Sequence, residues 1–249
     1  MSSTDILTVA DGDTGELAII EVTPESVNVR RSDSTVTATN HLLHPETSED
    51  QANAERMAES TTVSRLARLA ERVSAAEGTL DPVEALSILR DRRLPGDKPA
   101  APGHRGTIDA MIAAHAVIMD ATARTLWVSS PPHTLGEFVA YDLRAAFAGE
   151  ITDLGALPVD PALADGTFDR LVQARRAVAT RDASALAKAA ELLPTQPEVL
   201  LARAKSCDAA DQTECAIASY RAFLAAGPPY RKNERHARAR LEELGASAE

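Results

Sequence analysis

The links between the first apolar runs are what most restrict this chain. Ile6–Ala10, Glu16–Val22, Ser26–Arg30 and Thr35–Thr39 follow one another through connections of only a few residues, such as Asp11-Gly-Asp-Thr-Gly15 and Thr23-Pro-Glu25. Parallel neighbours need a crossover of about a dozen residues or more, so these links predict antiparallel strands. The third and fourth runs alternate apolar with polar residues, which predicts a sheet with one wet face. The series stops at Thr37-Ala-Thr-Asn-His-Leu-Leu-His-Pro-Glu46, where an amide and an imidazole stand at the strand end.

From about Ser60 the period changes. Val63, Leu66, Leu69, Ala70 and Val73 recur at helical spacing, and Gly78 stops the helix. Asp81-Pro82 opens the next one, with Asp as N-cap and Pro at the first helical position. Residues 92–106, with three prolines and three glycines, predict a long loop that is either mobile or functional. Ile108–Met119 and Thr125–Ser130 predict a long hairpin, and Gly136–Asp142 a further strand. From Pro161 the text is rich in Ala, Leu, Arg and Glu, and no strand pattern remains. It predicts helices over 162–179, 183–192, 197–208, 211–226 and 232–244. The fold class expected is α+β, with residues 1–150 as one domain and 155–249 as a helical one. Small and aromatic residues at Ala216, Tyr220 and Phe223 make the helical part resemble a tetratricopeptide helix pair, in which small side chains let helices approach closely.

Composition excludes several functions. A formal charge of -11 repels phosphate backbones, and 3% aromatics gives few platforms for base stacking, so nucleic acid is not an expected partner. No apolar run approaches the ~18 residues of a membrane span, and the start lacks the regions of a secretory leader. The expected location is cytoplasmic. Cys207 and Cys215 are too few for a disulfide framework or a four-cysteine zinc site, and are read as packing thiols on neighbouring helices. His41 and His44 stand three apart with no third ligand, as surface loop residues would, and no metal or cofactor is expected. No glycine-rich phosphate loop and no nucleophile elbow is present.

Asn40 and Arg65 carry what chemistry the sequence offers. A buried amide at a strand end can donate N–H to a developing oxyanion; it can equally close a turn through its own side chain. Arg65, after Ser64 at the head of the apolar helix, could orient a nucleophile or clamp a carboxylate, or simply be solvated.

Taken in order, "ATNH", a polar loop, "SR..RL" at a helix start, "LSILRD" and "GTIDAMIAAHAVIMDATARTLWVSSPPHTLGEFVAYDL" resemble the β-chain of the acyl-coenzyme A:6-aminopenicillanic acid acyltransferase-like enzymes. These are cysteine N-terminal-nucleophile (Ntn) hydrolases akin to choloylglycine hydrolases, and the likeness covers about residues 5–143. It implies a partial Ntn αββα sandwich of stacked, mostly antiparallel sheets. It also implies acyl-enzyme chemistry on an acyl amide or acyl thioester, by a cysteine that autoproteolysis frees at a chain start. The α-amine of that cysteine, with a pKa of about 8, serves as base. The resemblance puts Asn40 at the oxyanion-stabilising asparagine and Arg65 near the arginine that supports the nucleophile, with His41 and Ser64 as substrate-binding neighbours. The nucleophile itself should precede the strand at Ile6, and Ser2 lies several strands too late to replace it. The chain is therefore expected to be the C-terminal portion of such an enzyme, with an upstream polypeptide supplying the cysteine. The alternative is an inactive remnant acting as a scaffold or a peptide-binding helical-repeat protein.

Overall fold

The computed structural model describes residues 4–76, 78 and 80–248. It is an α+β structure with antiparallel sheets. Strands β1 (Asp5–Ala10), β2 (Leu17–Val22) and β3 (Val27–Ser32) form a three-stranded meander in the order β1-β2-β3. Registers of Leu7 with Ile20 and of Ile20 with Val29 put these side chains on one face, and Ile6, Glu21 and Asn28 on the other. The second face is covered, with Ile19 and Glu21 fully buried. The first is open: Leu7 is 51% and Val27 65% exposed. The fourth predicted strand, Thr35–Thr39, is not formed. Its only pairing is an isolated bridge between Thr39 and His41, because the chain turns back at Asn40 to reach the helices.

The polar stretch after this turn, read as loop, holds two helices: α1 (Pro45–Ser48) and α2 (Gln51–Glu59). His44 caps the first and Asp50 the second, each accepting from a backbone N–H of the first turn. Helix α3 (Thr62–Ala75) takes the predicted place but not the predicted face. Its buried residues are Thr62 and Arg68, whereas Val63 is exposed. Arg68 is drawn inward because it bonds Asp91 through two nitrogens, at 3.1 and 2.7 Å. Helix α4 (Pro82–Leu89) starts at the expected Asp81 cap.

The long loop is a pinned strap. Short strands β4 (Arg93–Leu94) and β5 (Lys98–Pro99) pair with each other across it. Glu71 accepts from the Gly96 N–H, and Arg68 reaches Asp97 at 3.0 Å. The predicted hairpin is shorter than its apolar run: β6 (Val117–Asp120) pairs with β7 (Thr125–Ser129), and residues 108–116 are irregular. Strand β8 (Phe138–Asp142) and the two-residue β9 (Ala156–Leu157) complete the second sheet, order β6-β7-β8-β9. Helix α5 (Leu143–Phe147) lies between those two strands.

The C-terminal helices match the sequence expectation closely, except that 162–179 divides at Gly166 into α6 (Pro161–Ala164) and α7 (Thr167–Thr180). Then come α8 (Ala183–Leu192), α9 (Pro197–Ala209), α10 (Thr213–Ala225) and α11 (Arg231–Glu243). Their core includes Leu171, Leu186, Ala204, Ala216, Tyr220 and Phe223, and it extends to Met111 and Leu135 of the first half. A smaller cluster of Leu86, Ile118 and Phe138 joins α4 to the second sheet. Cys207 and Cys215 are not free thiols. They lie on α9 and α10 with Cα atoms 5.7 Å apart and form a disulfide across the turn. Among the described residues no helix is long and apolar enough to cross a membrane.

Candidate functional site

Asn40 stands at the tip of the reversal between the bridged residues Thr39 and His41. Both flanking side chains are fastened to the start of α3. The Thr39 hydroxyl lies 2.7 Å from that of Thr62 and donates to the Thr62 carbonyl at 3.0 Å; His41 Nδ1 lies 2.8 Å from the Thr62 hydroxyl. His41 is 1% exposed, so it is a clamp inside the fold and not a surface loop residue. Burial is the main cause that pushes its pKa below the ordinary imidazole value, keeping the ring neutral near pH 7. The other histidine of the pair, His44, is half-buried as the cap of α1.

Arg65 is three residues beyond Thr62 on α3, so the clamp that fixes the turn also sets Asn40 beside it. Arg65 Nη2 donates to Asn40 Oδ1 at 2.6 Å. A guanidinium can only donate, so it holds the amide oxygen and leaves the amide NH₂ available to donate. Arg56 of α2 donates to the Asn40 carbonyl at 3.3 Å. Asn40 itself is exposed, where the sequence suggested a buried amide, because the turn projects it into an open cleft. That cleft, of about 490 Å³, is lined among others by Ile6, Thr8, Asn40, Arg56, Arg65 and Leu69. Strand β1, the first in the sheet order β1-β2-β3 of the described residues, forms one wall.

The cleft lining carries two arginines, Arg56 and Arg65, against one acid, Asp5. Among the described residues neither Arg56 nor Arg65 forms an ion pair with a carboxylate. Burial, and then the nearby charge of Arg105, pull the Arg65 pKa below its ordinary value without discharging it. Arg105 Nε in turn donates to the Tyr230 hydroxyl at 3.2 Å, so a residue just before α11 contributes to the surroundings of Arg65. Ser64 faces away from this pair, donating to the Gly106 carbonyl at 3.2 Å. The structure thus brings Asn40 and Arg65 into contact, puts His41 behind them, and turns Ser64 toward the strap. Arg56, Arg105 and Tyr230 escaped the sequence reading; they belong to elements 16 to 190 positions from Asn40, and nothing local marks them. Among the described residues no group of His, Cys, Asp and Glu is arranged to hold a metal ion.

An amide N–H available beside two guanidinium groups is suited to an anionic oxygen. Comparison with protein families matches residues 4–131 to acyl-coenzyme A:6-aminopenicillanic acid acyl-transferase. No curated protein and no solved structure is matched. The matched segment spans more than half of the chain and contains the whole Asn40 turn, α3 and the cleft wall, and the chain belongs to the acyl-coenzyme A:6-aminopenicillanic acid acyl-transferase family.

Proposed function

We propose that this chain is the C-terminal portion of an autoproteolytic Ntn acyltransferase or amidohydrolase acting on an acyl amide or acyl thioester, whose nucleophilic cysteine comes from a polypeptide outside these residues. The Asn40 amide N–H stabilises the oxyanion of the tetrahedral intermediate, and Arg65 orients that amide and supports the nucleophile. His41 and Ser64, which the resemblance offers as substrate-binding, do not line the cleft, and their part is to fix the Asn40 turn and the start of α3. One observation carries the reading: Arg65 holds Asn40 by its oxygen, which leaves the amide N–H available to donate, and both residues line the same cleft. Two others support it. Both cysteines are tied in the α9–α10 disulfide, away from the cleft lining, so neither offers a thiolate there. The open apolar face of the first sheet, with Leu7, Val9, Val27 and Val29 all exposed, suits a further layer of an αββα sandwich. The α9–α10 pair, with Ala204 and Ala216 fully buried beside Tyr220 and Phe223, suits a tetratricopeptide-like unit.

The test is reconstitution with the upstream polypeptide. Asn40→Ala should slow turnover of an acyl-amide substrate by about 10²–10³. An unchanged rate would reduce Asn40 to a turn residue. The purified chain alone should show no hydrolysis; turnover by the lone chain that Asn40→Ala abolishes would refute a nucleophile supplied from elsewhere.

A further inference from the structure

A cavity of about 960 Å³ lies outside the family match, on the surface formed by α7, α9, α10 and the start of α11. Its floor is apolar, with Val178, Leu201 and Phe223 among its lining residues. Its walls carry Arg181 and Lys205, both exposed, and among the described residues neither is paired with a carboxylate. The single acid in the lining, Glu198, faces the charge of Arg175. A chain of formal charge -11 therefore carries a groove of the opposite sign.

A second surface of the same chain has the complementary character. Every residue from 146 to 156 is exposed. Phe147 and Ile151 are 90% and 92% exposed, more than any other large apolar side chain of the described residues. Glu150 and Asp153 alternate with them, and no basic residue interrupts the stretch. Large apolar side chains this exposed, set in an acidic segment, belong to neither of the buried clusters described above.

We propose that the 146–156 segment of one copy docks into the α7–α11 groove of a second copy, Phe147 and Ile151 on the apolar floor and Glu150 and Asp153 against Arg181 and Lys205. The contact is heterologous, since loop and groove are different surfaces, so it builds chains or closed rings rather than an isologous dimer. A single short segment buries less area than a standard interface, and the association is weak and salt-sensitive.

Sedimentation of the full chain at low salt should give a mass that rises with concentration above 26.4 kDa. The double variants Glu150→Lys/Asp153→Lys and Arg181→Glu/Lys205→Glu should each sediment as monomers, because loop and groove then carry like charge. Mixed one to one they should associate again, since each loop meets a groove of opposite sign. A labelled peptide of residues 145–156 should bind the wild-type chain and bind Arg181→Glu/Lys205→Glu at least tenfold more weakly, with circular dichroism verifying the fold of each variant. A wild-type chain that stays monomeric up to about 100 μM overturns the proposal. So does a mixture that fails to reassociate, or peptide binding that charge reversal of the groove leaves intact.

Discussion

Glu21 sets the position of the Asn40 turn from beneath. Its carboxylate is wholly buried on β2 and accepts from the N–H groups of Leu43 and His44 and from Arg30 at 2.9 Å. Burial is the largest single influence on its pKa and would raise it. The two backbone donors and the Arg30 charge together outweigh burial and hold the carboxyl below the ordinary range. A depressed carboxylate stabilises the fold above the unfolded pKa of about 4.3 and loses that contribution as pH falls through the folded value. Glu21→Gln should therefore lower unfolding stability by about 1–3 kcal/mol at pH 7, and flatten the acid limb of a stability curve measured by urea titration below pH about 4.3. His41 has the same sense for a different reason: burial depresses it, so its contribution is present above pH about 6.5 and is lost as pH falls through the folded value. Arg68 is the third residue of this kind. Arg68→Ala would leave Asp91, whose side chain is 3% exposed, with Arg72 at 3.4 Å and the Arg93 N–H as its remaining partners, and should cost about 3 kcal/mol in denaturant unfolding. None of the three is legible beforehand. Arg68 stands among Leu66, Leu69 and Ala70 in a text that reads as an apolar stripe, and only its partner 23 residues on explains its burial.

At the scale of elements, the connections carry the specificity. The β1–β2 turn meets the β6–β7 turn at Gly12, where an added Cβ would lie 2.0 Å from the Ala121 carbonyl oxygen. Arg124 and Asp13 are joined at 2.5 Å beside it. Gly12→Ala must push the two turns apart and should lower stability by about 1–3 kcal/mol, seen as a drop in the thermal midpoint with little change in far-UV circular dichroism. The α9–α10 disulfide closes a loop of sequence separation 8. Its reduction should cost about 2–3 kcal/mol on the chain-entropy account, measured as a lower urea midpoint in a thiol reductant. Strands β1–β3 and helices α7–α11 were legible because period 2 and period 3.6 persist there over several repeats. Helices α1 and α2 were not, because their polar text owes its stability to capping by His44 and Asp50 and to Asn53, which brackets Leu42 through both ends of its amide.

Over the whole molecule, the helical half and the first half are fastened at several points. Arg175 of α7 donates to the carbonyls of Met111 and Ala110, each at 2.8 Å. His104 lies 2.8 Å from the Gly227 carbonyl; because its Nδ1 accepts from Gly106 N–H, the Nε2 nitrogen is the donor. Gln196 donates to the Pro102 carbonyl, and Arg235 pairs with Glu59. With Met111 and Leu135 inside the helical core, removal of residues 161–249 would bare both. We expect the shortened chain to bind a hydrophobic dye and lose its sharp thermal transition, while the intact chain unfolds as one step by calorimetry.

The sequence by itself determined the antiparallel meander, the helices α7–α11 and, by likeness to one family, the pairing of Asn40 with Arg65. Short links and sustained periodicity are local properties, and local properties survive without coordinates. Only the tertiary structure decided which way Asn40 points, that Arg56 and Arg105 stand around it, that the cysteines are joined, and that a cationic groove lies outside the matched segment. Each of these depends on side chains brought together from different elements of the chain, Asn40 and Arg65 for example lying 25 residues apart. Hydrogen bonds and charges act over a few ångströms of space, whatever the distance along the sequence.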